Sequence, residues 1–205
     1  MQGYIININR AKDEDLIVTI ISKDNLQIVY RFYGARHGVI NLGFKIDYEL
    51  EGSVKSSISR LRDVIHLSFR WISDRNRLRI WQDFISLFHQ HLKQAEDIGE
   101  FYFKLIDEAA LKWDKQNPKR VAVESYIKLL RYEGRLHVEN RCFLCSENIH
   151  DKISVIRGYL PTHFECSHTY AINKDALNEL FENGSSLFLN DKEIDRLWYV
   201  LLEGL

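Results

Sequence analysis

From residue 3 to residue 71, apolar residues come in short runs separated by charged or glycine-containing breaks. GYIININ, LIVTIIS, LQIVYRFY, FKIDYELE and DVIHLSFRW are rich in Ile, Val, Tyr and Phe, and AKDED, KDN and GARHG interrupt them. β-Branched and aromatic residues suit strands, and charged or glycine-bearing clusters suit turns. Two of the runs alternate with a period of two. Leu26, Ile28, Tyr30 and Phe32 share one face, with Gln27, Val29, Arg31 and Tyr33 opposite. In the last run, Ile65, Leu67, Phe69 and Trp71 face one way, and Arg62, His66 and Arg70 the other. Five strands in about 70 residues predict a small closed or partly open barrel, of which the OB-fold is the commonest five-stranded case.

After Asp74 the period lengthens. Leu78, Trp81, Ile85, Phe88 and Leu92 recur at intervals of three and four, a helical stripe. A second helix is predicted over residues 97–114, with Phe101, Tyr102, Leu105, Ile106 and Ala109 inward. A third starts at Asn117-Pro118, a cap followed by a residue suited to the first turn. It carries Ala122, Tyr126, Leu129 and Leu130 and stops near Gly134. Two more helices are predicted around 173–183 and 191–203. The fold class is therefore α+β: a five-stranded OB-fold barrel, then a helical domain with an inserted zinc-ribbon-like segment. The boundaries are 1–73 for the barrel, 74–136 for the first helices, 137–170 for the insert and 171–205 for the C-terminal helices, which pack on the helical domain. There is no internal repeat and no low-complexity stretch.

Composition narrows the class. Of 205 residues, 45% are apolar and 28% charged, which predicts a folded chain. The first residues lack a basic region followed by a small-residue cleavage site, and no apolar run reaches the ~20 residues a bilayer requires. A cytoplasmic protein without a membrane partner is expected. A net charge of −1 excludes a global positive field, so any nucleic-acid binding has to come from local patches.

The three cysteines lie in CFLC (142–145) and HFEC (163–166), with 17 residues between the two tetrapeptides. Reducing conditions disfavour a structural disulfide, and three thiols cannot all pair within one chain. A two-residue separation lets both ends of a tight turn bind one ion, and a second such pair completes a tetrahedron. The predicted ligands are Cys142, Cys145, His163 and Cys166; the spacing selects His163 over His168 and His150. Between them, SVIRGYLP predicts a short strand ending in a Gly-Tyr turn. The competing reading, three small buried hydrophobes and an incidental histidine, is opposed by the paired spacing. Four protein ligands close the coordination sphere, so the expected ion is a structural Zn²⁺ rather than a catalytic one. His137-Val138-Glu139 is similar to part of a zinc-deaminase signature, but Glu139 and Cys142 are only three residues apart and Arg141 stands where that signature has proline.

No phosphate-binding loop, nucleophile elbow or HExxH motif occurs, and the chain is not expected to be an enzyme. Residues 60–79 hold six arginines against Asp63 and Asp74, a net of +4. With Arg31, Arg36, His37 and Lys45 they form a candidate cationic groove, interleaved with Tyr30 or Tyr33 and Tyr48. Single-stranded nucleic acid uses such a layout, with phosphates on cations and bases on rings. The alternative is a solvated face whose arginines pair with neighbouring carboxylates. The nucleic-acid candidates are Arg31, Arg36, His37, Lys45, Arg62 and Arg70.

GYIININRAKDEDLIVTII, YRFYGARHGVINLGFKIDYELE, KQNPKRVAVESYIKLL, EGRLH and the CFLC/HFEC pair together resemble the bacterial DNA repair protein family RecO. The likeness is closest to the short, divergent members of epsilonproteobacteria. It implies a non-enzymatic recombination mediator that binds single- and double-stranded DNA and anneals complementary strands. With RecR and the tail of single-stranded-DNA-binding protein, such a mediator helps load RecA; it is monomeric alone, cytoplasmic and associated with the nucleoid. By the resemblance, Arg31, Arg36 and His37 fall in the DNA-binding region and the two tetrapeptides are the zinc pairs. The family's usual four cysteines become three here. The docking site of that tail is not read from the sequence: a helix face with Lys119, Arg120, Lys128 and Arg131 near Leu129 and Leu130 is one candidate, but an ordinary solvated helix face is the preferred reading of it. A second class of function is a zinc-stabilised protein-interaction scaffold that does not bind DNA.

Overall fold

The computed structural model describes residues 1–36, 38–53, 56–95 and 98–205. They form two compact units, Met1–Asp114 and Lys115–Leu205.

In the first unit, β1 (Gln2–Arg10), β2 (Leu16–Ser22), β3 (Leu26–Arg31), β4 (Lys45–Ser53) and β5 (Ser56–His66) close a barrel in the order β1-β2-β3-β5-β4. Every neighbouring pair is antiparallel except β3 and β5, which run parallel through Tyr30 and Arg60. The barrel is filled by Ile5, Val18, Ile20, Val29, Ile46, Tyr48 and Leu61. A register shift between Ile5 and Asn7 breaks the alternation of β1, and Tyr4, Ile5 and Ile6 are all buried. Tyr4 lies against Trp81 and Phe103, on helices α1 (Arg75–His91) and α2 (Phe101–Lys112). Strands covered on both faces read as continuous apolar runs, which explains YII and VTIIS.

The barrel decides which face of each alternating run is covered and where the last strand ends. On β3 the inward residue is Val29, and the more apolar face of Ile28 and Phe32 points out to solvent. β5 begins seven residues before the predicted run and ends at His66, leaving Ile65 63% exposed. The chain then turns through a short 3-10 segment, Arg70–Ser73, which carries Trp71 into an aromatic cluster with Trp81 and Trp113. All three indoles find acceptors: Trp71 donates to Ala110 O (2.9 Å), Trp81 to Gly43 O (2.8 Å) and Trp113 to Arg77 O (3.1 Å). Large rings can be buried fully only when such donors are paired. Asp74 caps α1 by accepting from the amides of Asn76 and Arg77.

The second unit starts with α3 (Pro118–Tyr132), capped by Asn117 with Pro in its first turn as predicted. There follow β6 (Lys152–Ile156), β7 (Leu160–Thr162), α4 (Phe164–Ser167), β8 (Ala171–Asn173), α5 (Lys174–Asn183) and α6 (Asp191–Leu202). The sheet is antiparallel, β7-β6-β8, and Gly158 and Tyr159, both at positive φ, make the predicted turn between β6 and β7. Tyr126 and Tyr159 meet edge to face at 4.8 Å, and the Tyr159 hydroxyl donates to Leu197 O (2.9 Å). Asn173 and Asn190 cap α5 and α6. The buried Glu193 accepts from the amides of both, at 2.8 and 2.9 Å, so one carboxylate serves two helix starts.

Candidate metal centre and nucleic-acid interface

The first cysteine pair sits on a tight knuckle. Cys142 N donates to Glu147 O (2.8 Å), Ser146 N closes the turn on Cys142 O (2.8 Å), and Phe143 N reaches Pro161 O on β7 (2.8 Å). The second pair starts where β7 ends: His163 precedes α4, and one turn of helix brings Cys166 beside it. The four ligand atoms all lie within 4.8 Å of one another. His163 Nδ1 is 3.4 Å from Cys145 Sγ and 3.7 Å from Cys166 Sγ, and Nε2 is 3.1 Å from Asn148 O. An Nε2–H donating to that carbonyl leaves the Nδ1 lone pair facing the sulfurs, the arrangement that orients metal-bound imidazoles.

The electrostatics agree with this geometry. Burial raises the Cys142 thiol, but hydrogen bonds from the amides of His163, Cys145 and Leu144 outweigh it and bring the pKa down to about 6. Cys166 is pushed up to about 11, by burial and then by the neighbouring Cys145 and Cys142 sulfurs. Cys142, Cys145, His163 and Cys166 can thus hold one metal ion, and four protein donors fill a tetrahedron. His168 caps α4 in a left-handed conformation, and neither it nor His150 joins the cluster.

The barrel offers a different surface. Ile28, Phe32 and Tyr33 are 56, 41 and 57% exposed. Asp15 fixes the rings: it accepts from the Tyr30 hydroxyl (2.6 Å) and from Tyr33 N (2.7 Å). The Tyr30 hydrogen bond, then the Tyr33 amide, hold the Asp15 carboxyl below its ordinary range. Tyr30 meets Phe32 edge to face at 4.9 Å; Arg60 lies over the Phe32 ring at 5.1 Å and Arg36 over Tyr33 at 5.2 Å.

The predicted cations divide. Lys45 is committed to Asp107 (2.6 Å) with side chains only 14 and 30% exposed. Arg31 donates to Leu61 O (2.8 Å). Arg36 pairs with Glu14 and Arg62 with Glu51 at the surface, and Arg70 is exposed. His37 lies outside the described residues. Tyr48 is barrel core, because β4 turns it inward. Much of the basic and apolar face of α3 is also taken up internally. Leu129 and Leu130 are core, Arg120 holds Ser186 O and Leu189 O, Arg131 holds Phe181 O, and Lys119 pairs with Asp195. The sequence reading missed the pairing of Phe32 with Arg60, since an alternating apolar face normally reads as core.

A closed barrel with a fixed aromatic–cation surface, followed by a unit carrying a Cys3His cluster, defines the class: an OB-type barrel protein with a candidate metal-binding segment. Residues 1–72 match the family model described as RecO N terminal. The match covers about a third of the chain, so over those residues the barrel is similar to RecO N-terminal domains, with no finer subtype. No curated protein matches the chain. Among the described residues, no helix is long and apolar enough to cross a membrane.

Proposed function

We propose that this chain is a non-enzymatic recombination mediator. It binds single- and double-stranded DNA through the barrel and anneals complementary strands. With RecR and the tail of single-stranded-DNA-binding protein, it helps load RecA. Its setting is the cytoplasm, at the nucleoid, and alone it is a monomer. The observation that carries this reading is the Phe32–Arg60 and Tyr33–Arg36 surface on a barrel that matches RecO N-terminal domains. Rings offer stacking faces to any base, and guanidinium groups neutralise phosphates, which gives sequence-tolerant binding.

The existing ion pairs do not oppose it equally. Exposed pairs such as Arg36–Glu14 and Arg62–Glu51 are worth about 0–1 kcal/mol, so phosphate can displace the carboxylates. The largely buried Lys45–Asp107 pair resists such exchange, and Lys45 serves the barrel rather than DNA. Arg31, Arg36, Arg60, Arg62 and Arg70 are the proposed phosphate contacts. Zinc is the ion proposed for Cys142, Cys145, His163 and Cys166, since thiolate and imidazole donors at this spacing suit it, and its role is structural.

The test is anisotropy of a labelled single strand of ~30 nucleotides across a salt series, with binding expected to weaken log-linearly with salt. Absence of binding at low salt would sink the mediator reading. It would favour a scaffold that binds only proteins, a reading supported by the exposed Phe143 and Leu144 at the tip of the cysteine knuckle.

A further inference from the structure

Within the second unit, an open cavity of about 740 Å³ lies beside the metal cluster. Its walls include Phe164, Tyr170, His150, Asp151, Lys152 and Glu165. Phe164 and Tyr170 are each 48% exposed. Among the described residues, neither ring stacks on another aromatic, and none of the four polar side chains is hydrogen-bonded or ion-paired within the chain. Elsewhere in this unit Arg120 and Arg131 are tied to carbonyls, Glu124 to the Ser186 amide and Lys119 to Asp195. Uncommitted rings, donors and acceptors thus converge on one cavity of ligand-binding size.

The mixture selects the ligand. An aliphatic or phenyl side chain entering the cavity would cover the rings but leave the Asp151 and Glu165 carboxylates near it without donors, which is unfavourable. Phosphate is disfavoured, because two carboxylates face one ammonium. A planar heterocycle bearing an exocyclic amino group satisfies both requirements: its face stacks on a ring and its amine donates to a carboxylate. Lys152 supplies a donor for a ring nitrogen or carbonyl. We infer that this cavity is a pocket for an unpaired, amino-bearing nucleobase, bound by stacking and hydrogen bonding rather than by charge. That a single strand delivers the base rests on the nucleic-acid reading of the barrel; the pocket chemistry does not.

Full-length, metal-loaded protein titrated with cytidine and with thymidine, and followed by amide NMR, tests the pocket directly. Cytidine is expected to shift the amides of residues 150–152 and 164–171 saturably, equally at low and high salt, and more strongly than thymidine. Tyr170→Ala should weaken cytidine roughly tenfold, as expected for one stacked base. Tyr170→Phe should retain affinity, and Asp151→Asn with Glu165→Gln should erase the preference over thymidine. Metal content of each variant reports that the unit remains folded. Absence of cytidine shifts in the wild-type protein, or equal response to thymidine, overturns the proposal. So does saturation of the same amides by N-acetylphenylalanine amide without cytidine, which would assign the cavity to a peptide. Labelled oligo-dC and oligo-dT separate the two readings. Cytidine binding without strand binding overturns the mediator function and keeps the pocket, and strand binding without cytidine binding does the reverse.

Discussion

Residues 1–114 bury their apolar surface around two centres, the inside of a five-stranded barrel and a cluster of indoles and phenyl rings on its helices. Residues 115–205 pack α3 against α6 and α5, but their sheet has strands of only five, three and three residues. Strands this short contribute little on their own. Between α3 and β6 the backbone is irregular, and Cys142 and Cys145 of that stretch meet His163 and Cys166 from the end of β7 and α4. The first unit is held by volume; the second, on the metal site proposed above, is held in part by ligation. The difference teaches where each is vulnerable: one to loss of side-chain bulk, the other to loss of an ion.

Removing the ion should have the largest effect. Structural zinc sites contribute roughly 10 kcal/mol or more to small metal-dependent folds. Chelation or Cys142→Ser should therefore abolish hydrogen-exchange protection in β6–β8 and leave β1–β5 protected. Protection that survives in β6–β8 would remove the structural role. Next comes Trp81→Ala, which should destabilise the barrel unit by about 3–5 kcal/mol in a denaturant titration while bound metal stays at one ion per chain. A parallel fall in metal content would show that the two modes of cohesion are coupled. Phe32→Ala should weaken single-strand binding by about 1–3 kcal/mol with little change in melting temperature, because the ring is exposed.

The smallest effect concerns His66. Its ring stacks on Phe44 at 4.0 Å, its Nε2 has no partner, and burial lowers its pKa below 6.5. The unfolded chain then binds the proton more readily than the folded one. Stability from this group is complete above 6.5 and is lost as pH falls through the lower folded value. The urea midpoint of the tryptophan signal should drop slightly on acidification, and His66→Gln should flatten that drop; an unchanged slope would discount His66.

Much of this arrangement was legible in the chain. The five strands, the Asn117-Pro118 start of α3 and the cysteine spacing depend on local rules, and local rules are written in adjacent residues. What was hidden depends on partners distant in sequence. Nothing in FKIDYELE says that Lys45 meets Asp107, 62 residues away, or that Tyr48 turns inward. An apolar period of two specifies a face but not which side of the sheet is covered. For that reason the alternation did not reveal that Ile28 and Phe32 lie at the surface. Trp71 read as a strand residue because the turn that lifts it out has no glycine or proline to announce it. The cavity beside the metal had no sequence signature, since Phe164 and Tyr170 come together only through α4 and the pairing of β8 with β6.

Glu193 carries a consequence for how this chain can vary over time. Both of its oxygens are engaged, one at the start of α5 and one at the start of α6. Aspartate would fall a methylene short, and glutamine would offer one acceptor where two are used. The flanking Asn173 and Asn190 each have interchangeable substitutes, since serine, threonine and aspartate also cap helices. Drift at 173 or 190 is therefore reversible one step at a time, whereas a change at 193 loosens two helices at once and leaves no neutral path by which to repair them separately.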